Sequence, residues 1–362
     1  MPLLFTEKKI GSLEIKNRIV RSATYEKMAT ENGEVTERLI ECHKELARGG
    51  AGLIITGHAF VHPMGKVSHF MTGIQSDDMI PGLRRLTDSV HNEGGKICIQ
   101  INHGGRQVDK KAIGGKTPLA PSPVPDRVSK TSPREMTDGE IQEVIEAFCL
   151  ASERAKMAGF DAVQIHGAHG FLISEFISPY TNRREDIWGG SLENRMRFPL
   201  EVYSGVRRVV SKDYPVLIKL NSEDFLEGGL EVKESIAIAL ELEKEGIDAI
   251  EISGGMRESR LGAARRDILK EDMEAYFLAN AREFRKALNI PLILVGGLRS
   301  MKVMEGVLEE GTVDFVSMSR PLIREPDLPN KMKEGKEKAD CISCNGCFGL
   351  KLEYTRCTQV KK

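Results

Sequence analysis

Eight short runs rich in β-branched and aliphatic residues, separated by helical stretches, constrain this chain more than any other feature. They are RIVRSAT (18–24), LIITG (53–57), KICIQIN (96–102), AVQIHG (162–167), VLIKLN (216–221), AIEISG (249–254), LILVGG (292–297) and FVSMSR (315–320). Most are continuously apolar rather than alternating, the pattern of parallel strands covered on both faces. Eight such units close a (β/α)8 TIM barrel, and an antiparallel sandwich is disfavoured. The expected organisation is one barrel over residues 1–330 with long active-site loops, followed by a cysteine-rich extension over 331–362.

Helix chemistry fills the intervals. Thr137 and Glu140 form a capping-box sequence ahead of IQEVIEAFCLASERAKMAG, which carries apolar residues at helical spacing and stops at Gly159. Two strand-to-helix connections are long: 103–136, rich in Gly, Pro and Lys, and 168–190, which holds Asn182-Arg183-Arg184 and Gly189-Gly190. In a barrel both emerge at the C-terminal mouth, where long loops build the site.

Lys+Arg total 52 against Asp+Glu 53, a formal charge of -1. No overall field favours nucleic acid or an anionic membrane, so the expected partner is a small molecule. Self-association into a homo-oligomer is compatible with this charge. No apolar run suits a signal peptide or a membrane span, so the expected location is cytoplasmic.

Polar residues inside the apolar runs point to a site. Gly296-Gly297 follow the seventh run and Ser319-Arg320 the eighth. In barrels these loops commonly bind phosphate, through backbone N–H groups and a bidentate Arg, although glycines there also simply turn the chain. Lys219 within VLIKLN needs a compensating partner. An electron-rich cofactor edge, an ion pair with Glu251 and a Schiff-base role are the three readings. Gln100 in KICIQIN either reads a cofactor edge or satisfies a core backbone group. Cys42, Cys98 and Cys149 read as small buried hydrophobes.

The stretch Ile165-His166-Gly167-Ala168-His169-Gly170-Phe171, continuing through FISPYTNRREDIWGGSLENRMRFPLEV, resembles the signature of the old yellow enzyme family of FMN oxidoreductases. NRIVRSAT, IQINHGGRQ, VGGLRS and MSRPLI extend the resemblance over residues 1–330. It implies non-covalent FMN, reduced by NAD(P)H or another donor and oxidised by an electron-poor alkene. By matching motifs, Ser22, Ala23, Thr24, His58, Gln100, Lys219, Gly297, Ser319 and Arg320, with neighbouring Gly296, are implied FMN contacts. His166 and His169 are the implied catalytic pair, binding the substrate carbonyl. Negative charge grows on that oxygen as hydride reaches the β-carbon, and two imidazole N–H donors would stabilise it. A metal site at this i, i+3 spacing lacks an evident third ligand.

The chain departs from the family pattern at Phe171. Many members carry there the tyrosine that protonates the α-carbon. Tyr25 is the candidate replacement acid, with Tyr180 and water behind it; Tyr25 serves equally as a stacking wall.

Cys341, Cys344, Cys347 and Cys357 crowd the end of the sequence. The spacing suits iron–sulfur ligation better than structural zinc, with free thiols as the remaining reading. The segment CISCNGCFGLKLEYTRCTQ also resembles the four-iron (4Fe-4S) cluster segment of the dienoyl-CoA reductase and trimethylamine dehydrogenase branch, though its last spacing is shorter. That branch continues into a nucleotide-binding half beyond residue 362, so the resemblance implies an electron donor on a separate protein: a ferredoxin, flavodoxin or reductase. The leading function is reduction of α,β-unsaturated carbonyl compounds, acyl-CoA thioesters among them. An amine dehydrogenase, disfavoured by the single Trp188, an electron-transfer or redox-sensing subunit, motivated by Phe171, and a flavin-free aldolase or isomerase using Lys219 are the alternatives.

Overall fold

The computed structural model describes residues 1–128, 130–349 and 352–360. Each of the eight runs forms a strand: β1 (Ile19–Arg21), β2 (Leu53–Ile55), β3 (Ile97–Asn102), β4 (Ala162–Gly167), β5 (Val216–Asn221), β6 (Ala249–Ser253), β7 (Leu292–Val295) and β8 (Phe315–Met318). Neighbours pair in parallel, and the β8–β1 and β2–β3 pairings complete the ring. Among the described residues one long helix follows each of the first seven strands: α1 (Glu37–Arg48), α2 (Ile80–Asn92), α3 (Asp138–Met157), α4 (Leu192–Val210), α5 (Val232–Glu245), α6 (Leu278–Ala287) and α7 (Met301–Glu309), with a short helix, Leu172–Ile177, also between the fourth and fifth strands. The expected (β/α)8 barrel is the fold.

Strand alternation divides the side chains. Ile54, Ile99, Val163, Ile165 and Ile218 point outward and pack with Phe148 of α3, Phe198 of α4 and Phe284 of α6. Each such side chain, fully buried, contributes about 1.5–3 kcal/mol. Val20, Leu53, Cys98, Ala162, Leu217, Ala249, Ile293 and Phe315 point inward and fill the lower barrel. An antiparallel hairpin, Lys8–Ile10 with Leu13–Ile15, seals that end by inserting Ile10, Leu13 and Ile15.

The capping box of α3 forms: the Thr137 side chain accepts from the Glu140 N–H, and the Glu140 carboxylate accepts from the Thr137 N–H. The helix ends at Met157, and Gly159 takes the left-handed conformation (φ 87°) that stops it. Cys98 and Cys149 are buried as expected, whereas Cys42 is only half-buried by surface area. The two long connections are bound together at the mouth. Asn182 donates to the Phe176 and Trp188 carbonyls at 2.7 Å each, and Arg184 donates to Pro121 and Met136 carbonyls at 3.1 and 2.7 Å.

Past β8 the chain forms two short helices, Arg320–Arg324 and Leu328–Lys333, the second crossing residue 330. The described part of the extension is stitched to the barrel mouth. The Ala339 N–H donates to Arg299, the Asp267 N–H to Ser343, and the Thr355 N–H to Glu26. Residues 350, 351, 361 and 362 of the expected extension lie outside the described residues.

Candidate active site

Above the apolar floor, the inward positions turn polar. Register places Lys219 on β5 beside His166 of β4 and Glu251 of β6. Lys219 Nζ lies 3.2 Å from Glu251 Oε2 and donates to Ser22 Oγ at 2.9 Å. Glu251 also accepts from Ser22 Oγ (2.8 Å), Ser317 Oγ (3.0 Å) and Gln164 Nε2 (2.9 Å). Gln100 extends the chain by donating to Gln164 Oε1 at 2.7 Å. The ion-pair reading of Lys219 is therefore realised, and Gln100 satisfies a side chain rather than a core backbone group. A buried pair at this spacing is tolerated because every remaining carboxylate lone pair is engaged.

The imidazoles form the next layer. His166 Nδ1 accepts from the Ala168 N–H at 3.4 Å, which puts the ring proton on Nε2. His169 holds the left-handed region (φ 65°), uncommon outside glycine. Its N–H donates to Asn221 Oδ1 at 3.0 Å, its ring Nε2 meets Ser253 Oγ at 2.7 Å, and Gln107 Nε2 donates to its carbonyl at 2.8 Å. The two rings stand 5.2 Å apart at 90°. His58, whose Nδ1 pairs with Asn102 Nδ2 at 2.9 Å, and Phe171, 4.9 Å from the His166 ring, complete the wall. Burial drives all three imidazoles toward the neutral form: His58 and His169 fall to about 3 and His166 well below its ordinary value, with Lys219 adding to each shift. The site thus presents uncharged N–H groups at neutral pH.

Tyr25 stands 5.5 Å from the His58 ring. Its hydroxyl donates to the His69 carbonyl and accepts from Ser68 Oγ, and burial pushes its pKa up to about 12. The proton it would deliver is already committed to a backbone oxygen.

At the other end, Gly297 has φ 73°, and a Cβ there would come within 2.9 Å of the Tyr276 ring. Ser319 Oγ and Thr24 Oγ1 share a 2.8 Å hydrogen bond. Arg320 Nη1 donates to the carbonyls of Arg265 (2.7 Å) and Ser343 (3.3 Å) and to Asn345 Oδ1 (2.6 Å). Ser22, Ala23, Thr24, Tyr25, His58, Gln100, His166, His169, Lys219, Gly297, Ser319 and Arg320 all line one cleft of about 230 Å³. Gly296 does not line it; that residue backs onto the Tyr276 and Phe277 rings.

Sequence reasoning missed the residues that position these groups. Gln164 was open to the alternation argument, being two residues before His166 in one run. Gln107, Asn221 and Ser253, which hold His169, come from three different segments, and no local spacing connects them. Ser343 and Phe348 of the extension also line the cleft.

Cys341, Cys344, Cys347 and Cys357 gather around one small chamber, with Arg320 as the wall shared with the cleft. Among the described residues no three His, Cys, Asp or Glu side chains approach closely enough to hold a single metal ion.

A closed barrel with a glycine–arginine end and a buried neutral histidine pair at its C-terminal mouth has the form of a small-molecule site of a (β/α)8 barrel, concave and lined by a few convergent polar groups. The chain belongs to the NADH:flavin oxidoreductase / NADH oxidase family, whose model matches residues 3–339. It is 42% identical to an NADH oxidase of Thermoanaerobacter brockii over 99% of this chain and 56% of that protein. An NADPH dehydrogenase of Geobacillus sp. is 37% identical over 90% of this chain and 92% of its own. Among solved structures, 2-naphthoyl-CoA reductase in complex with 2-naphthoyl-CoA superposes with a TM-score of 0.90 at 34% identity, over 96% of this chain and 54% of that one. The chain therefore spans little more than half the length of the NADH oxidase and of the naphthoyl-CoA reductase. No helix among the described residues is long and apolar enough to cross a membrane.

Proposed function

We propose that this chain is an FMN-dependent NAD(P)H oxidoreductase that reduces the C=C bond of α,β-unsaturated carbonyl compounds, acyl-CoA thioesters included. The observation that carries this reading is the pair of neutral, perpendicular imidazoles over the cleft, His166 and His169, with Lys219 beside them. FMN, when bound, supplies hydride exchange between a nicotinamide and the alkene. The cleft fits it: Arg320, Ser319 and the Gly297 turn supply anion donors, Gln100 and Lys219 line the middle, and a Cβ at residue 297 would strike Tyr276. His58, Ser22, Ala23 and Thr24 are the remaining contacts in this reading.

The protein's part is orientation and charge stabilisation. His166 Nε2–H and a His169 ring N–H donate to the substrate carbonyl as negative charge grows there, each worth a few kcal/mol in a dry site. Ser253, Asn221 and Gln107 keep His169 aimed. Tyr25 acts as the proton donor only once its hydroxyl leaves the His69 carbonyl, so the supply of the α-carbon proton limits turnover. In this reading residues 331–362 are a cluster segment of the barrel: Cys341, Cys344, Cys347 and Cys357 line one small chamber, and their sequence spacing suits a four-iron cluster better than zinc. Its electrons come from NAD(P)H or from a separate donor protein.

The test is anaerobic. Protein loaded with FMN and reduced should be reoxidised by cyclohexenone and by an enoyl thioester, and Phe171→Tyr should raise the enone rate by about 100-fold or more, the range of a positioned general acid. Failure of every enone and enal to reoxidise the flavin overturns the reading.

A further inference from the structure

Arg106, the chain neighbour of the Gln107 that holds His169, is the centre of a buried charge cluster that no step above uses. Its side chain is 0% exposed and is gripped by three of the loops at the mouth. From its own connection, 103–136, the Pro125 carbonyl accepts from Nη1 at 2.9 Å. From the 168–190 connection, Glu175 Oε1 lies 3.9 Å from Nε and accepts from the Arg106 backbone N–H at 2.8 Å. From the loop after β6, Glu258 Oε1 meets Nη2 at 2.8 Å, and Arg257 in the same loop pairs with Asp126 at 3.5 Å. Arg106 Nε, Glu175 Oε2 and Glu258 Oε2 have no hydrogen-bond partner among the described residues, an uncommon condition for buried polar atoms. None of these side chains lines the cleft.

What the cluster holds is the cleft wall. Gln107 donates to the His169 and Gly170 carbonyls at 2.8 and 2.7 Å, the Glu175 N–H donates to the Phe171 carbonyl at 2.8 Å, and Glu258 shares its loop with Ala263 and Ala264, which line the cleft. Residue 105 has to be glycine, since a Cβ there would run into the Glu175 carboxyl. From this juxtaposition we infer that Arg106, Glu175 and Glu258 form a latch that aims His169 and fixes the loop after β6, with Glu175 a positioning residue that acts in its neutral form. Two arginines, Arg106 and Arg257, face three carboxyl groups, Glu175, Glu258 and Asp126, so the charges balance when one carboxyl keeps its proton. Glu175 is that group: desolvation, with Asp126 and Glu258 nearby, pushes it up to about 8 against the pull of Arg106, and its own helix carries no other charge. Once ionised, Glu175 competes with Glu258 for one guanidinium, and the Arg106–Gln107 turn under His169 shifts. A misaimed donor costs stabilisation of the charge that grows in the transition state, so the loss falls on the maximal rate rather than on substrate binding. The inference rests on the oxidoreductase reading above for what His169 does, and on the cluster alone for the proton and the latch.

The FMN-loaded protein is compared with Glu175→Gln, which copies the neutral carboxyl, and with Glu258→Gln, which removes the charge that pins Arg106. Two readouts need no substrate. The infrared difference between wild type and Glu175→Gln should show a protonated-carboxyl band that fades with a midpoint near pH 8. Hydrogen exchange of the segments 103–108, 168–175 and 254–260 should match in these two proteins at pH 7 and be faster in wild type at pH 9. The third readout is anaerobic reoxidation of the reduced flavin by cyclohexenone. Its saturating rate in wild type should fall about 10-fold between pH 7 and 9, where about one-tenth of Glu175 remains protonated, with the half-saturating concentration constant within about two-fold. Glu175→Gln should lose that fall, and Glu258→Gln should be slower by about 10-fold already at pH 7. Reoxidation by ferricyanide, which takes electrons without a carbonyl at His169, should follow none of these changes. Absence of the infrared band, equal exchange at pH 9, or a shared pH–rate profile in wild type and Glu175→Gln overturns the inference even where enones turn over. If the band and the exchange difference appear and no enone reoxidises the flavin, the oxidoreductase reading fails and the latch stands.

Discussion

Lys219→Met tests the polar layer under the cleft. The ammonium lies 3.2 Å from Glu251 and both side chains are at most 3% exposed. At an effective dielectric near 20, that separation corresponds to an attraction of about 5 kcal/mol. Removing one partner of a buried pair typically costs about 3–5 kcal/mol, because the other charge is left without a counter-ion. Glu251 keeps three uncharged donors, Ser22, Ser317 and Gln164, which places the expected loss near the lower end, at about 3 kcal/mol. Urea unfolding of flavin-free protein measures it without the contribution of cofactor binding. The cycle is closed with Glu251→Gln: in that background Lys219→Met should cost less by about 2 kcal/mol. A single-mutant loss below about 1 kcal/mol, or equal losses in both backgrounds, refutes the claim that this pair holds the layer together.

Four further outcomes follow from the same geometry. Gly297→Ala should weaken FMN binding by about 10-fold or more, read by flavin fluorescence titration, since a Cβ 2.9 Å from the Tyr276 ring must shift that turn. His58 and His169, with pKa values lowered to about 3 by burial, bind fewer protons folded than unfolded between about pH 3 and 6.5, so they make stability fall as pH drops through that window. KM for an enone should meanwhile show no histidine titration between about pH 6 and 9. Glu175, fully buried and pushed up to about 8 by desolvation, has the opposite sign: its folded form holds a proton that the unfolded form releases above about 4.5, so wild type loses stability as pH rises toward 8. Glu175→Gln keeps an acceptor for the Arg106 N–H and should flatten that slope in thermal unfolding; an unchanged slope contradicts the assignment.

How much of this was legible in the sequence depended on whether the signal was local. All eight strands were readable because each is a short apolar run bounded by its own punctuation, and closure follows from their number. Lys219 and Gln100 stood out as polar residues in apolar runs. Of the readings of Lys219 the structure shows the ion pair, and because the side chain both reaches Glu251 and lines the cleft, the pair leaves the cofactor reading open to the proposal above. Gly296 and Gly297 look alike in sequence, but only Gly297 lines the cleft, while Gly296 backs onto the Tyr276 and Phe277 rings. The support of His169 was hidden because Gln107, Asn221 and Ser253 lie far apart in the chain and converge only when the barrel closes. Contact of the extension with the cleft, through Ser343 and Phe348, was hidden for the same reason.

The central claim is that the cleft between Arg320 and the histidine pair holds FMN. Purified protein, saturated with excess flavin and freed of unbound material, is denatured, and the flavin in the supernatant is identified and counted. The account predicts FMN at about one per chain for wild type and a clear deficit for Arg320→Ala, the loss of a bidentate anion donor. No released flavin, or equal release from both proteins, would contradict it.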